Sequence, residues 1–460
     1  MKRVNHMNNR ESFASRLGFI LISAGCAIGL GNVYRFPIIT GAYGGAIFVL
    51  IYIAFLLLLG IPVMTTELAV GRASRRSIVT SFEKLERPGQ KWHLMKFVGI
   101  AGNYLLMMCY TTITGWMMIY FWKYLTGSVM SASTSEEIAG TFSDMLASPG
   151  IVVCGAYIAV VLGLFVCSFG LQKGVERVTK VMMIALFILM IGLAVYTCTL
   201  SGAGRGLSFY LVPSVDNIKH AGIVKVITAA MGQAFFTLSL GIGAIAIFGS
   251  YIGRDRSLFG ESLTIVGLDT FVALMSGLII FPAYYTYNDT MIEGEGGAGF
   301  LFTTLTSIFN TMPGGRIFGT LFFLFMIFAA MSTVIAVFEN IMSFWLETTS
   351  LSRRKVAEIN ILMMLILVLP AALSCNIWGN VTFLGMGFMD LEDKAVSNVL
   401  LPVGSLLYVI FCTSRYGWGF KNYFAEVNEG SGAKLPRWIR PYMTYVLPLI
   451  IVVVLIMSLL

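Results

Sequence analysis

Three glycines, Gly25, Gly29 and Gly31, lie within seven residues of one apolar segment, and Asn32 follows them directly. Each glycine weakens an α-helix by roughly 1 kcal/mol relative to alanine. Where a helix breaks inside a bilayer, the freed carbonyl oxygens need a partner, because lipid supplies none. Such oxygens are suitable ligands for an alkali cation. The segment therefore predicts a break that holds an ion or a ligand inside a membrane-spanning helix.

A second interruption, residues 239–243 (SLGIG), lies in another apolar segment about 210 residues later. Two interrupted spans in matching halves of a chain indicate a transport site near the middle of the membrane. Asp269 lies in a third apolar segment. A carboxylate within the membrane is costly unless it is paired, so Asp269 is a candidate functional residue.

The composition predicts a membrane protein that positions these residues on helices. Of the 460 residues, 57% are hydrophobic and 12% are charged, whereas soluble domains carry about 25% charged residues. Each of eleven apolar segments is long enough to cross a bilayer as a helix. We predict an all-α polytopic protein with spans at about 13–38, 43–70, 95–125, 150–169, 175–199, 223–252, 259–286, 315–346, 356–373, 394–413 and 440–460.

The eleven spans predict a single transport domain, residues 1–460, without an internal linker. Spans one to five (about 12–199) and six to ten (about 222–413) each cross the membrane an odd number of times, so the two runs have opposite orientations. An inverted repeat is the natural topology, with the broken helices 1 and 6 as counterparts. The last helix, 440–460, lies outside the repeat.

The distribution of charged residues predicts how the chain is oriented in the membrane. The net charge is +8, but lysine and arginine are concentrated in alternate loops. This pattern places the N-terminus in the cytoplasm and the C-terminus outside the cell membrane, and it argues against a nucleic-acid partner. The seven cysteines have no metal-like spacing, and no catalytic motif is present. We therefore do not expect an enzyme.

Five motifs in order and spacing resemble the neurotransmitter:sodium symporter family, most closely its bacterial members with eleven helices. They are residues 16–18 (RLG), 29–37 (GLGNVYRFP), 67–72 (ELAVGR), 174–180 (GVERVTK) and 233–241 (QAFFTLSLG). The resemblance extends from about residue 10 to 440. It implies a transporter that couples a small substrate to Na+.

The resemblance also implies a substrate site between helices 1, 3, 6 and 8. Backbone N–H groups at a helix N-terminus favour an anion, and the hydroxyl of Tyr110 would donate to the same carboxylate. Family members that move biogenic amines carry aspartate where this chain has Gly29, so glycine predicts an amino acid with its own carboxylate. The remaining pocket is apolar and predicts a hydrophobic side chain. The predicted substrate residues are Gly29, Leu30, Gly31, Leu106, Tyr110, Phe236, Thr237, Ser239, Gly241, Ile242, Ser332 and Val337.

Two sodium sites follow from the same resemblance. The first would use Ala27, Asn32, Thr237, Asp269 and the substrate carboxylate, and the second Gly25, Ile28, Ala329, Ser332 and Thr333. An ionised Asp269, hydrogen-bonded by Tyr52 and Gln233, would offset the sodium charge and predicts transport without chloride. Two alternatives remain open: Asp269 is protonated and structural, or it titrates and supports proton antiport.

Charged and polar residues at both mouths are the predicted gates. At the outer mouth Arg35 would pair with Asp393 or Glu392. The inner gate would comprise Arg10, Ser250, Tyr251 and Glu347. Two gates favour alternating access, in which sodium drives symport of a hydrophobic L-amino acid. The rival interpretation is a membrane sensor that binds an amino acid without moving it. The sequence names neither the amino acid nor the oligomeric state.

Overall fold

The computed structural model describes residue 13 and residues 15–132, 134–214, 222–288 and 299–459. These residues form helices joined by loops, with no β-strand among them. Nine described helices are long and apolar enough to cross a membrane. Two further spans are each formed by two shorter helices with a break between them. In chain order the spans are α1 (Arg16–Ala27 with Gly31–Ala42), α2 (Ala46–Ser74), α3 (Trp92–Thr126), α4 (Pro149–Ser168), α5 (Leu171–Cys198), α6 (Ile223–Thr237 with Ala244–Gly249), α7 (Leu258–Tyr287), α8 (Gly315–Thr348), α9 (Arg353–Leu373), α10 (Phe388–Thr413) and α11 (Ile439–Leu459).

Serine caps begin several of these spans. The Ser15 hydroxyl accepts a hydrogen bond from the Gly18 N–H at the start of α1. Ser257 at α7 and Ser352 at α9 have the same role. Such caps satisfy backbone donors that have no partner within the helix. Shorter helices lie between the spans: Ile78–Leu85, Ser135–Ala147, Ala203–Leu211, Phe300–Leu305, Thr306–Thr311 and Phe420–Val427.

The first helix is broken where the glycines predict it. Its two halves meet at an angle of 53° around residues 28–30. Ile28 has an extended backbone, so the helical hydrogen-bond ladder is interrupted there. This interruption frees carbonyl oxygens near the centre of the protein.

The sixth helix is broken between Thr237 and Ala244, again as predicted. Three residues in this break, Ser239, Gly241 and Gly243, have positive φ angles of 49°, 100° and 75°. That conformation suits glycine but strains serine. The buried carboxylate of Glu67 on α2 accepts a hydrogen bond from the Gly241 N–H. An acidic side chain from a neighbouring span therefore satisfies an amide that the break exposes.

The predicted all-α membrane fold with broken helices 1 and 6 is confirmed. α3 and α8 pack together at the centre, and both halves of α1 pack against α7. The division into two inverted repeats stays a prediction.

Candidate functional site

A small buried cavity lies between the two breaks and has a volume of about 10 Å³. That is room for about one water molecule, so the helices must separate before an amino acid can enter. The cavity is lined by residues from α1, α3, α6, α8 and α10: Ala27, Gly29, Gly31, Leu106, Tyr110, Phe236, Thr237, Ser239, Thr333 and Leu401.

One end of the cavity carries two hydrogen-bonding groups, the Leu30 amide and the Tyr110 hydroxyl. The Leu30 N–H donates to the Tyr110 hydroxyl oxygen at 2.8 Å. Since that oxygen is accepting, the hydroxyl proton remains available for an anion. A Cβ atom at Gly29 would collide with the hydroxyls of Tyr110 and Thr333. Glycine is therefore required here to bring the backbone close to both groups.

Asp269 on α7 joins the two breaks and is fully buried. The Asn32 side-chain amide donates to the Asp269 carboxylate at 2.8 Å and to its backbone carbonyl at 3.1 Å. The Thr237 hydroxyl donates to the other carboxylate oxygen at 3.2 Å. Three of the residues predicted for the first sodium site are thus brought together, and the fourth, Ala27, lines the adjacent cavity.

The residues predicted for the second sodium site also converge. The Ser332 hydroxyl lies 3.3 Å from the Ile28 carbonyl oxygen and 2.8 Å from that of Ala329. The Thr333 hydroxyl lies 3.3 Å from the carbonyl oxygens of both Gly25 and Ile28. Two hydroxyls and three carbonyls form a compact set of five oxygens, the donor type that a hard cation prefers.

Several predicted pocket residues do not line the cavity. Ile242, Ser332 and Val337 are buried without reaching it. The Gly241 N–H is taken by Glu67, and Leu30 contributes only its backbone to the site. Leu401 on α10 lines the cavity and was not predicted, because a leucine in an apolar span carries no sequence signal.

The predicted partners of Asp269 differ from those in the structure. Instead of reaching Asp269, the Gln233 side-chain amide donates to the Gly31 carbonyl at 2.7 Å. Tyr52 is buried beside Asp269 and Thr237, but no hydrogen bond joins its hydroxyl to the carboxylate within the described residues. Asn32 and Thr237, at the two breaks, are instead the side chains that donate to the two carboxylate oxygens.

The predicted outer-gate pair is not in contact. The Arg35 guanidinium lies 4.3 Å from the centre of the Phe236 ring. Among the described residues, it forms no ion pair with Asp393 or Glu392. Glu392 is turned into the protein and buried, and Asp393 accepts a hydrogen bond from the Ser397 hydroxyl. Arg35 therefore contacts a residue of the cavity lining, Phe236, instead of an acidic partner.

At the other mouth, the predicted gate residues make the following contacts among the residues that the structure describes. The Tyr251 hydroxyl donates to Glu339 at 3.0 Å and lies 2.9 Å from the Ser343 hydroxyl. Glu347 accepts hydrogen bonds from the backbone and hydroxyl of Ser77 and from Thr80. The Ser250 hydroxyl bonds within its own helix. Arg10 lies outside the described residues.

A buried cavity between two broken membrane helices is the arrangement of a secondary transporter. A family model described as the sodium:neurotransmitter symporter family matches residues 10–140 and 136–460. The chain therefore belongs to the sodium:neurotransmitter symporter family.

Relatives of similar length support this assignment. An uncharacterized sodium-dependent transporter of Bacillus subtilis (strain 168), YhdH, is 32% identical over 421 residues, which cover 92% of this chain and 91% of the relative. An uncharacterized sodium-dependent transporter of Haemophilus influenzae is 29% identical and covers 98% of each chain. The crystal structure of MhsT in complex with L-phenylalanine matches with a TM-score of 0.85 and 34% identity, over 98% of this chain and 100% of that one.

The predicted family is confirmed, and the chain is a sodium-dependent, multi-pass membrane transporter. Members of this family are transporters rather than enzymes.

Proposed function

We propose that this protein is a sodium-coupled symporter of a hydrophobic L-amino acid that works by alternating access. The observation that carries the proposal is the Asp269 cluster, which links both helix breaks beside the cavity. An ion held there would contact residues from both breaks at once. The bound L-phenylalanine in MhsT supports a hydrophobic amino acid as the substrate class.

The substrate carboxylate would bind at the Tyr110 hydroxyl and would replace that hydroxyl oxygen as the acceptor of the Leu30 N–H. Among the described residues, no lysine or arginine lines the cavity, so a sodium ion beside Asp269 would offset the second negative charge. This arrangement would make the binding of substrate and sodium cooperative. The positive charge of sodium lowers the free-energy cost of burying the substrate carboxylate, and the carboxylate does the same for sodium. Leu106, Phe236 and Leu401 would contact the apolar part of the substrate.

Two sodium ions per cycle are proposed, one at the Asp269 cluster and one at the five oxygens around Thr333. The fixed carboxylate of Asp269 would make chloride unnecessary, because it supplies a negative charge to the first site itself. Binding both ions favours the closed arrangement, and their release on the other side permits reopening. With the N-terminus in the cytoplasm, the inward sodium gradient and the membrane potential both drive uptake.

Removing one hydroxyl from the second sodium site should weaken sodium coupling without abolishing it. Thr333→Val keeps the side-chain shape but deletes the hydroxyl. Hydrogen bonds to charged groups contribute about 1.5–3 kcal/mol, so the sodium concentration for half-maximal uptake should rise roughly 10- to 100-fold. Thr320→Val, on the same helix with its hydroxyl bonded to Arg316, is the control. Equal sodium dependence in the two variants would show that the Thr333 hydroxyl is not a sodium ligand.

A binding screen of the twenty amino acids, with sodium and with potassium instead, tests the proposed substrate class. Purified protein should bind hydrophobic L-amino acids only with sodium, and charged ones under neither condition. Binding that ignores the cation, or that favours a charged amino acid, contradicts the proposal. The screen alone does not separate a symporter from a sensor, because a sensor also binds. Accumulation of the amino acid inside vesicles is the observation that would identify a symporter.

A further inference from the structure

Two asparagines, Asn103 on α3 and Asn340 on α8, form a buried amide cluster beside the break of α6. Both side chains are 1% exposed. Nδ2 of Asn103 donates to the Ile242 carbonyl at 2.9 Å and to the Gly99 carbonyl at 2.7 Å. Nδ2 of Asn340 donates to Oδ1 of Asn103 at 3.1 Å and lies 3.5 Å from the Ile242 carbonyl.

This network leaves one acceptor unused. Since the NH2 group of each asparagine faces an acceptor oxygen, the hydrogen bonds determine which terminal atom is oxygen. The oxygen of Asn103 accepts from Asn340. Oδ1 of Asn340 is buried and has no hydrogen-bond partner among the described residues. Buried acceptors are nearly always satisfied in native proteins, so this oxygen is free to accept from a water molecule or from a bound substrate.

Neither asparagine lines the cavity, and both lie two helical turns from residues that do. Asn103 precedes Tyr110 by seven residues, and Asn340 follows Thr333 by seven. Seven residues are two helical turns, about 10 Å along the same face. The hydroxyls of Tyr110 and Thr333 both lie against Gly29, and the two asparagines are bonded to each other. α3 and α8 are therefore antiparallel and in contact at both levels.

We propose that Asn340 accepts a hydrogen bond from a donor at the far end of an aromatic substrate side chain, so that the transporter selects L-tyrosine over L-phenylalanine. The inference rests on the proposed function, because it assumes that the carboxylate binds at Leu30 and Tyr110. A substrate held there directs its side chain along α3 and α8 towards the cluster. Serine and threonine carry a donor but are too short to span two turns. The indole N–H of tryptophan offers the same donor chemistry.

Discrimination follows from the cost of leaving Asn340 without a donor. Phenylalanine has the size of tyrosine but would bury Oδ1 beside an apolar ring edge. A site built to bond a substrate hydroxyl rejects the analogue that lacks it far more strongly than an apolar pocket rejects a change in size. Leu106, one turn from Asn103, lines the apolar part of the path. Asn340 is thus a specificity residue that contacts the substrate but neither sodium site.

Competition binding with L-tyrosine, L-tryptophan, L-phenylalanine and O-methyl-L-tyrosine tests this inference in the full-length protein with sodium. L-Tyrosine should bind at least about tenfold more tightly than L-phenylalanine, and O-methyl-L-tyrosine should lose that advantage. In Asn340→Leu the preference should fall to about one, because phenylalanine no longer leaves a buried acceptor unpaired and binds more tightly than before. Asn360→Leu is the matched control, because Asn360 is equally buried but is bonded to Tyr104. It should keep the preference of the wild type.

The outcomes separate this inference from the function on which it rests. Equal, sodium-dependent binding of tyrosine and phenylalanine overturns the role of Asn340 and leaves the symporter proposal intact. A tenfold preference for tryptophan alone assigns the donor to the indole and overturns the choice of tyrosine. If Asn340→Leu weakens both ligands equally, the cluster is only structural and the inference fails. Absence of sodium-dependent binding for every hydrophobic amino acid instead contradicts the proposed function.

Discussion

Asp269→Asn is expected to abolish sodium-dependent uptake in chloride-free medium. The substitution preserves the shape of the side chain but removes the negative charge that would face sodium. Removing one partner of a buried charge pair costs roughly 3–5 kcal/mol, so sodium affinity should fall at least about 100-fold. Uptake of labelled substrate in chloride and in gluconate buffers measures the effect, and chloride should restore part of the activity.

An exposed carboxylate on another part of the chain provides the control for this experiment. Asp144→Asn removes an exposed carboxylate and should leave uptake unchanged. Full activity of Asp269→Asn without chloride would show that the carboxylate charge is not needed at the first sodium site. It would favour a protonated, structural Asp269, the alternative that the sequence leaves open.

Gly29→Ala is expected to reduce amino-acid binding about 10- to 100-fold. The added Cβ would collide with the hydroxyls of Tyr110 and Thr333. Overpacking of a tight site costs about 1–3 kcal/mol, and here it displaces the groups proposed to hold the carboxylate. Gly29→Asp should eliminate binding, because it also adds a like charge beside that carboxylate. Equilibrium binding with labelled amino acid measures both variants.

The control for this prediction is Gly192→Ala, at a helical glycine with no neighbouring atom near the added Cβ. It should bind amino acids as the wild type does. If Gly29→Asp also binds them normally, the carboxylate does not bind at this end of the cavity, and the substrate site must lie elsewhere.

Much of the fold could be predicted from the sequence because its signals are local. Apolar segments of sufficient length predict spans, and clustered glycines predict breaks within residues 25–32 and 239–243. The structure has these breaks at residues 28–30 and 238–243. Asp269 stands out because a carboxylate in an apolar span is rare. The groups that meet it, Asn32 and Thr237, followed from the family resemblance rather than from spacing.

Other parts of the site depend on packing that no local pattern records. Leu401 resembles any other leucine of an apolar span, yet it lines the cavity, and its backbone packs against Gly241 in the break of α6. Ile242 was expected to line the pocket, but the break instead buries its side chain against Gly102. The contact of Arg35 with Phe236 replaces the expected ion pair, because Glu392 faces the interior. In each case, the contacts depend on the direction in which a side chain points, and a sequence pattern does not record that direction.

Uptake of labelled hydrophobic amino acid into proteoliposomes with an imposed inward sodium gradient tests the central claim most directly. The account predicts accumulation above the external concentration, which stops when sodium is equal on both sides and no membrane potential is present. Accumulation should persist when gluconate replaces chloride. Sodium-dependent binding to the purified protein, together with no accumulation under any gradient, would contradict the account and identify a sensor.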